Sequence, residues 1–318
     1  MTDHDDGARQ RPSPRLRAGL AAVAAALLAA AWSGSPAGAA PAPGRVAAAA
    51  GYLYWSNTIG DRPGHMRGVI GRARLNGNDI TQKFITAASF PSVVLVFGDY
   101  LYWANIAAPP RNGAGTIGRA RLNGTDVNQK FITGASFPIG VTAADGYLYW
   151  ANNGTGTIGR ARLNGTDVNQ KFIKTAQRDG PDDVVAGCGH LYWANDYNIG
   201  RANLNGTDVD QNFIADPSGG PSGLAVNSRY LYWTNEYRNT IGRALLNGTR
   251  VNQRFITGAS FPETGLAIYS RYIYWTNNFT GTIGRARLDG TDVNQKFFTV
   301  PNGVQPFGLR GVAVDLGL

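Results

Sequence analysis

The stretch Tyr230-Leu-Tyr-Trp233-Thr-Asn235, followed by Ile241-Gly-Arg243 and Asn247-Gly248, recurs nearly unchanged six times along the chain. Its Tyr-Trp pairs place Trp55, Trp103, Trp150, Trp193, Trp233 and Trp275 at steps of 48, 47, 43, 40 and 42 residues, the period of a propeller blade. Each unit divides into four short runs. In residues 221–258 they are Gly223 to Val226, Tyr230 to Thr234, Thr240 to Leu246 and Asn252 to Thr257. Asn247-Gly248 reads as a two-residue hairpin turn with positive φ at both residues. Four-stranded antiparallel units repeated radially predict an all-β fold, a six-bladed β-propeller.

Side chains on a strand alternate, so Leu231 and Trp233 face one way and Tyr230 and Tyr232 the other. Both faces are apolar, as a blade sandwiched between neighbours requires. Each motif tryptophan is therefore expected to fill space between blades, and its truncation to Ala to cost about 3–5 kcal/mol. A row of exposed rings for stacking sugars or bases would not be repeated identically in every blade. A proline followed by an apolar run, starting at Pro91, Pro138, Pro181, Pro221 and Pro262, marks the innermost strand of five blades. A further copy, Pro306 to Val314, has no second strand after it. It is expected to close the ring as the inner strand of the first blade, hiding both edges. The Ala-rich segment Pro43 to Ala50 is its rival for that place.

Composition agrees with one closed domain. The chain has 318 residues with 42 Gly, 14 Tyr, 13 Phe and 7 Trp, too aromatic for disorder and rich in turn residues. Cys188 is the sole cysteine, so stability comes from packing without an intrachain disulfide, and a buried, inert thiol is expected. Arg9, Arg11, Arg15 and Arg17 precede an Ala/Leu run from Ala18 to Ala31 and then Ala37-Gly38-Ala39. This is the order of a secretory signal, with cleavage expected after Ala39. The domain reading is thus a signal peptide over 1–39, a short linker or alternative first strand over 40–51, and the propeller over 52–318. The formal charge is +9. The expected location is extracellular or associated with the cell envelope, without a transmembrane segment in the mature chain.

With these residues the chain resembles the YWTD-repeat propellers of the low-density lipoprotein receptor family. The resemblance rests on six Tyr-Trp-[Ser/Ala/Thr]-Asn copies, on Ile-Gly-Arg copies beginning at Ile70, Ile117, Ile158, Ile199, Ile241 and Ile283, and on the Leu-[Asn/Asp]-Gly turns after them. It covers roughly residues 44–315. It implies a six-bladed extracellular propeller that binds or spaces without catalysis. One departure is uniform: the family's motif Asp is Asn here, at Asn57, Asn105, Asn152, Asn195, Asn235 and Asn277. Cysteine-rich flanking domains are also missing, so the ligands of receptor members do not carry over.

Chemistry-bearing residues are sparse. His65, His190, Glu236 and Glu263 are the only His and Glu after residue 39. No zinc spacing, nucleophile elbow or phosphate loop occurs. Neither a cofactor nor a metal is expected, because the Asn-Gly-Thr-Asp turns ending in Asp126, Asp167 and Asp208 offer one carboxylate each, too few for calcium. These read as Asx-type turns. Arginine pairs in the third strand (Arg72/Arg74, Arg119/Arg121, Arg160/Arg162, Arg285/Arg287), with Lys83, Lys130, Lys171 and Lys296 in the fourth, predict a basic rim. It protects the outer edges or, alternatively, holds an anionic cell-surface polymer or glycan.

Binding residues are best sought where the copies disagree, in the loops joining strands two to three and each blade to the next. The candidate face comprises His65, Arg67, Arg111, Arg178, Asp182, Asp183, Asp196, Tyr197, Glu236, Tyr237, Arg238, Glu263 and Phe279. It is expected to bind a protein, peptide or glycan, with nucleic acid excluded by export and by the buried aromatics, and with the chain a monomer. The alternative is a lyase- or lactonase-type enzyme with a central pocket, for which Asp182 and Asp183 are the main acids near the axis.

Overall fold

The computed structural model describes residues 51–59, 67–106, 114–175, 180–215, 220–301 and 308–315. The signal-peptide and linker readings, Pro43 to Ala50, His65, Arg111 and Arg178 lie outside them. Six four-stranded antiparallel sheets form the blades. The first contains β1 (Tyr52–Ile59), β2 (Arg67–Arg74) and β3 (Thr81–Ala88). The next four are β4 (Pro91–Phe97) to β7 (Asn128–Ala135), β8 (Pro138–Ala144) to β11 (Asn169–Lys174), β12 (Asp183–Gly187) to β15 (Asp210–Ala215), and β16 (Pro221–Val226) to β19 (Asn252–Thr257). The sixth runs from β20 (Leu266–Tyr269) to β23 (Asn294–Thr299), and β24 (Leu309–Val314) ends the chain. β24 pairs antiparallel with β1, aligning Trp55 with Val312, so the C-terminal strand completes the first blade as expected. Two inner strands start later than their prolines announced, at Asp183 and Leu266, because the residues between form the incoming loop.

All six motif tryptophans are fully buried. Each lies opposite the glycine of Ile-Gly-Arg, as Trp103 opposes Gly118. A Cβ on any of these six glycines would stand 2.2–2.3 Å from the indole, so the glycine is required by the ring it faces. The indole N–H of Trp103 donates to Gln129 Oε1 at 3.1 Å, and Gln129 Nε2 donates to the Thr86 carbonyl of the preceding blade at 2.9 Å. The same link recurs through Gln170 and Gln295. Between blades six and one, the Trp55 and Phe298 rings lie 5.1 Å apart. Packing and polar stitching thus run round the ring through the same repeat.

The Asn-Gly turn differs from expectation. Of Asn247-Gly248 only Gly248 has positive φ, at 81°. Gly248 N–H donates to the Leu245 carbonyl and Leu245 N–H to the Thr249 carbonyl, which makes a three-residue loop ending in a left-handed residue. Asn247 Oδ1 instead accepts from Thr249 N–H at 3.1 Å, an Asx turn as foreseen. The Asp that follows takes a separate role: Arg121 donates to Asp126 at 2.6 Å, and the Arg74–Asp79, Arg162–Asp167 and Arg287–Asp292 pairs repeat it. The inner arginine of each pair is held by aromatic rings, with Arg119 Cζ 4.6 Å from the Tyr100 centroid and 4.0 Å from that of Phe131. The third-strand arginines of the basic rim are therefore largely engaged in structure. Cys188 corrects another expectation: it is exposed, in the turn between β12 and β13 (His190–Ala194), with φ of 51°.

Candidate functional site

Strand direction alternates across a blade, so loops between second and third strands share one end of the ring with the blade-to-blade connections. At this loop face the repeat breaks down. The exposed large apolar side chains are of two kinds. Ile80, Val127, Val168, Val209, Val251 and Val293 occupy one repeated position at the opposite, turn end. Tyr197, Tyr237 and Phe279 stand in the second-to-third-strand loops of blades four, five and six, and Tyr197 is the most exposed at 66 %. Phe279 stacks on Phe261, with centroids 4.5 Å apart. Tyr237 lies against the backbone of Gly220, where a Cβ would approach its ring to 2.8 Å.

Acidic groups gather towards the axis between these rings. Asp182 Oδ1 accepts from Asn153 Nδ2 at 3.1 Å, and its own N–H donates to the Ala194 carbonyl. Glu263 is buried in the connection entering blade six, and its Oε2 accepts from Asn278 Nδ2 at 2.8 Å. Burial raises its pKa to about 8, against the opposing charge of Arg310; the charges of Glu236 and Asp182 push it the same way as burial. The carboxyl is therefore largely neutral near pH 7. Glu236 and Arg238 begin and end a single 3-10 turn, with Arg238 exposed. Asp196 precedes the exposed Tyr197, and Arg67 is exposed at the start of β2 in blade one, the blade that follows blade six round the ring.

Asp183 belongs to the scaffold. It is fully enclosed, accepting from Val184 N–H at 2.6 Å and from Leu224 N–H of the next blade at 2.7 Å. A Cβ on Gly140 of the preceding blade would stand 2.4 Å from its Oδ1. The carboxyl thus ties its own inner strand to that of blade five and packs closely against that of blade three. Burial drives its pKa well above the usual carboxylate range, with the two N–H donors pulling the other way.

Three participants went unread in the sequence: Asn153, Asn278 and Arg310. The asparagines had a signal, since each follows the motif Asn directly, as Asn152-Asn153 and Asn277-Asn278, at the point where the variable loop begins. Arg310 sits inside the repeated apolar run of an inner strand, and nothing local announces its place beside Glu263. Among the described residues no group of three or more His, Cys, Asp or Glu is arranged to hold a metal ion. None of their helices is long and apolar enough to cross a membrane. His190 is remote from the loop face, in contact with the Cys188 carbonyl at 2.9 Å on the turn side.

No protein-family model matches the chain, and no curated protein matches it. Solved structures do. A chain of the nidogen/laminin complex is similar with a TM-score of 0.68 at 19 % identity, over 84 % of this chain and 99 % of that one. Virginiamycin B lyase from Staphylococcus aureus gives 0.54 at 18 % identity, over 77 % and 86 %. A catalytically inactive histidine-to-alanine form of that lyase with quinupristin gives 0.56 at 17 % identity, over 84 % and 97 %. One of these neighbours is a partner in a protein complex and the other an enzyme, so at these identities the likeness extends to the fold. With six Tyr-Trp-x-Asn blades closed by a C-terminal inner strand, the chain is a six-bladed β-propeller.

Proposed function

We propose that this chain is an exported, non-catalytic binding module that docks a protein, peptide or glycan on its loop face over blades four to six. The observation carrying this reading is that Tyr197, Tyr237 and Phe279, which among the described residues are the exposed large apolar side chains outside the repeated Ile/Val position, all emerge on that face. Exposed aromatic anchors flanked by charge are the usual source of interface energy. Glu236, Asp182 and Arg238 supply the charged surround, and Arg67, Arg111, Arg178 and His65 are the remaining loop-face candidates. Export rests on the Arg-then-Ala/Leu order of the first 39 residues. The test compares the native chain with the triple variant Tyr197→Ala, Tyr237→Ala, Phe279→Ala in capture from intact cells. Loss of about 2 kcal/mol per anchor predicts at least a ~30-fold weaker interaction for each. A partner captured equally by both proteins would move the site elsewhere.

A second reading, a lyase- or lactonase-type enzyme, has one observation in its favour: Glu263, buried in the connection entering blade six, holds a proton near neutral pH, as a general acid must. Against it, the described histidine lies at the far end of its blade. Lactone turnover that disappears in Glu263→Gln would establish the enzyme reading.

A further inference from the structure

The turn face, opposite the loop face, departs from the repeat in blades five and six, and there it departs towards positive charge. After the Asn-Gly turn, blades one to four and six carry an aspartate in left-handed backbone, Asp79, Asp126, Asp167, Asp208 and Asp292, with φ of 52–54°. Blade five has Arg250 there, with φ of 56°. Aspartate tolerates this conformation through its short polar side chain, whereas arginine enters it at a cost. The ion pair of blades one, two, three and six is absent here, since Leu245 stands in place of the arginine that would hold the aspartate. The residue before the second strand changes likewise. Gly51, Asp99, Gly146 and Gly189 occupy it in blades one to four, but Arg229 and Arg271 in blades five and six.

These cations adjoin one another. Leu246 N–H donates to the Arg229 carbonyl, placing that turn beside the loop that carries Arg250. Arg243 of blade five donates to the Leu288 carbonyl of blade six at 3.1 Å, and Leu288 N–H donates to the Arg271 carbonyl. The outer strands continue the patch with Arg254 and Lys296, and Gln295 beside the latter donates to the Thr257 carbonyl of blade five. Arg229, Arg250, Arg254, Arg271 and Lys296 are all exposed, and none has an ion-pair partner among the described residues. Blade four, next door, carries Asp208 and Asp210 with Asn212 in place of the strand lysine, so the arginine excess ends there, whereas on the other side Lys83 of blade one repeats the position of Lys296.

We infer that the turn face of blades five and six binds an anionic polysaccharide, its carboxylate, sulfate or phosphate groups held by Arg229, Arg250, Arg254 and Arg271. Four of the five cations are arginines, whose planar fork suits such oxoanions. The patch bends from the turn edge up the outer strands, a course that suits a flexible chain better than a flat bilayer. The exposed aromatic rings, Tyr197, Tyr237 and Phe279, belong to the other face, so the patch lacks the stacking platforms that single-stranded nucleic acid uses.

The test uses the variant Arg229→Asp, Arg250→Asp, Arg271→Asp. Each introduced aspartate already stands at the equivalent position of another blade, and the change at Arg250 relieves backbone strain. Binding of both proteins is measured to immobilised heparin, polygalacturonate and a polyphosphate-bearing glycan, and to anionic phospholipid vesicles and single-stranded DNA. The native chain is expected to bind at least one polysaccharide with affinity that falls steeply between about 50 and about 300 mM salt. The variant is expected to lose at least tenfold while its thermal midpoint is maintained or rises. Equal polysaccharide binding by both proteins, tighter binding of vesicles or DNA than of any polysaccharide, or no polysaccharide binding by the native chain overturns the inference. The loop-face triple variant should bind these polymers normally, so this inference and the loop-face reading fail separately.

Discussion

At the scale of single residues, the motif asparagine explains the chain's uniform departure from the receptor pattern. Asn152 Nδ2 donates to the Gln170 carbonyl at 2.8 Å and to Thr157 Oγ1 at 3.4 Å, while its Oδ1 accepts from Ser136 N–H at 2.9 Å. Asn105 and Asn277 repeat the arrangement. A carboxylate could keep the accepted bond, but it would face the Gln170 carbonyl oxygen to oxygen and would draw the Thr157 hydroxyl proton away from that same carbonyl. Asn152→Asp should therefore destabilise the fold by about 1–3 kcal/mol, the cost of stranding buried polar groups. The urea midpoint checks this at constant m-value, and an unchanged midpoint would mean that the amide hydrogens do no work there. The substitution was visible in the sequence, but its meaning was not, because the acceptors lie on two other strands. Blades one, four and five are less well satisfied: Asn57 Oδ1 and Nδ2, Asn195 Oδ1 and Asn235 Oδ1 have no hydrogen-bond partner among the described residues.

At the scale of the strand, the tryptophan and the glycine opposite it act as one element. Glycine ordinarily weakens a strand interior, but an aromatic ring laid over it restores the lost contact. Gly118→Ala would set a methyl group 2.2 Å from the Trp103 indole, which is anchored by Gln129 and has nowhere to retreat. We expect a loss of about 1–3 kcal/mol or more, the range for overpacking a closed core, read as a fall in thermal midpoint. A midpoint within error of the native chain's would show that the blades can slide apart. Strand number, spacing and tryptophan burial were legible because the two-residue alternation and the turn residues are local signals. The turn geometry was misread for a local reason too, since an Asx bond at Asn247 selects the longer loop that the dipeptide alone does not reveal. The loop-face aromatics were found as departures from the repeat. What escaped is the company Glu263 keeps, because Asn278 and Arg310 reach it from another loop and from the closing strand.

At the scale of the whole ring, closure and pH response meet at the junction of blades six and one. β24 is held by its pairing with β1, by Gly311 N–H donating to Ser56 Oγ at 2.7 Å, and by Thr276 Oγ1 donating to the Arg310 carbonyl at 3.0 Å. Arg310 is also the charge that opposes the burial of Glu263, whose pKa rises from 4.5 to about 8 in the folded ring. Because this raised group is an acid, the folded state holds a proton that the unfolded chain has already released between those values. Unfolding therefore liberates a proton, and stability falls as pH rises from about 4.5 to about 8, by at most ~1.4 kcal/mol per unit. Above that window both states are ionised and this group adds no further slope. Asp183 acts with the same sign, so the informative quantity is the difference between the native chain and Glu263→Gln, which cannot ionise. Urea midpoints of the two proteins should converge near pH 5 and diverge towards pH 8, with the variant the more stable at the alkaline end. A difference that stays flat across that window would mean that Arg310 keeps Glu263 ionised in the closed ring. The buried junction would then hold an ion pair, and the general-acid reading of this site would lose its only support.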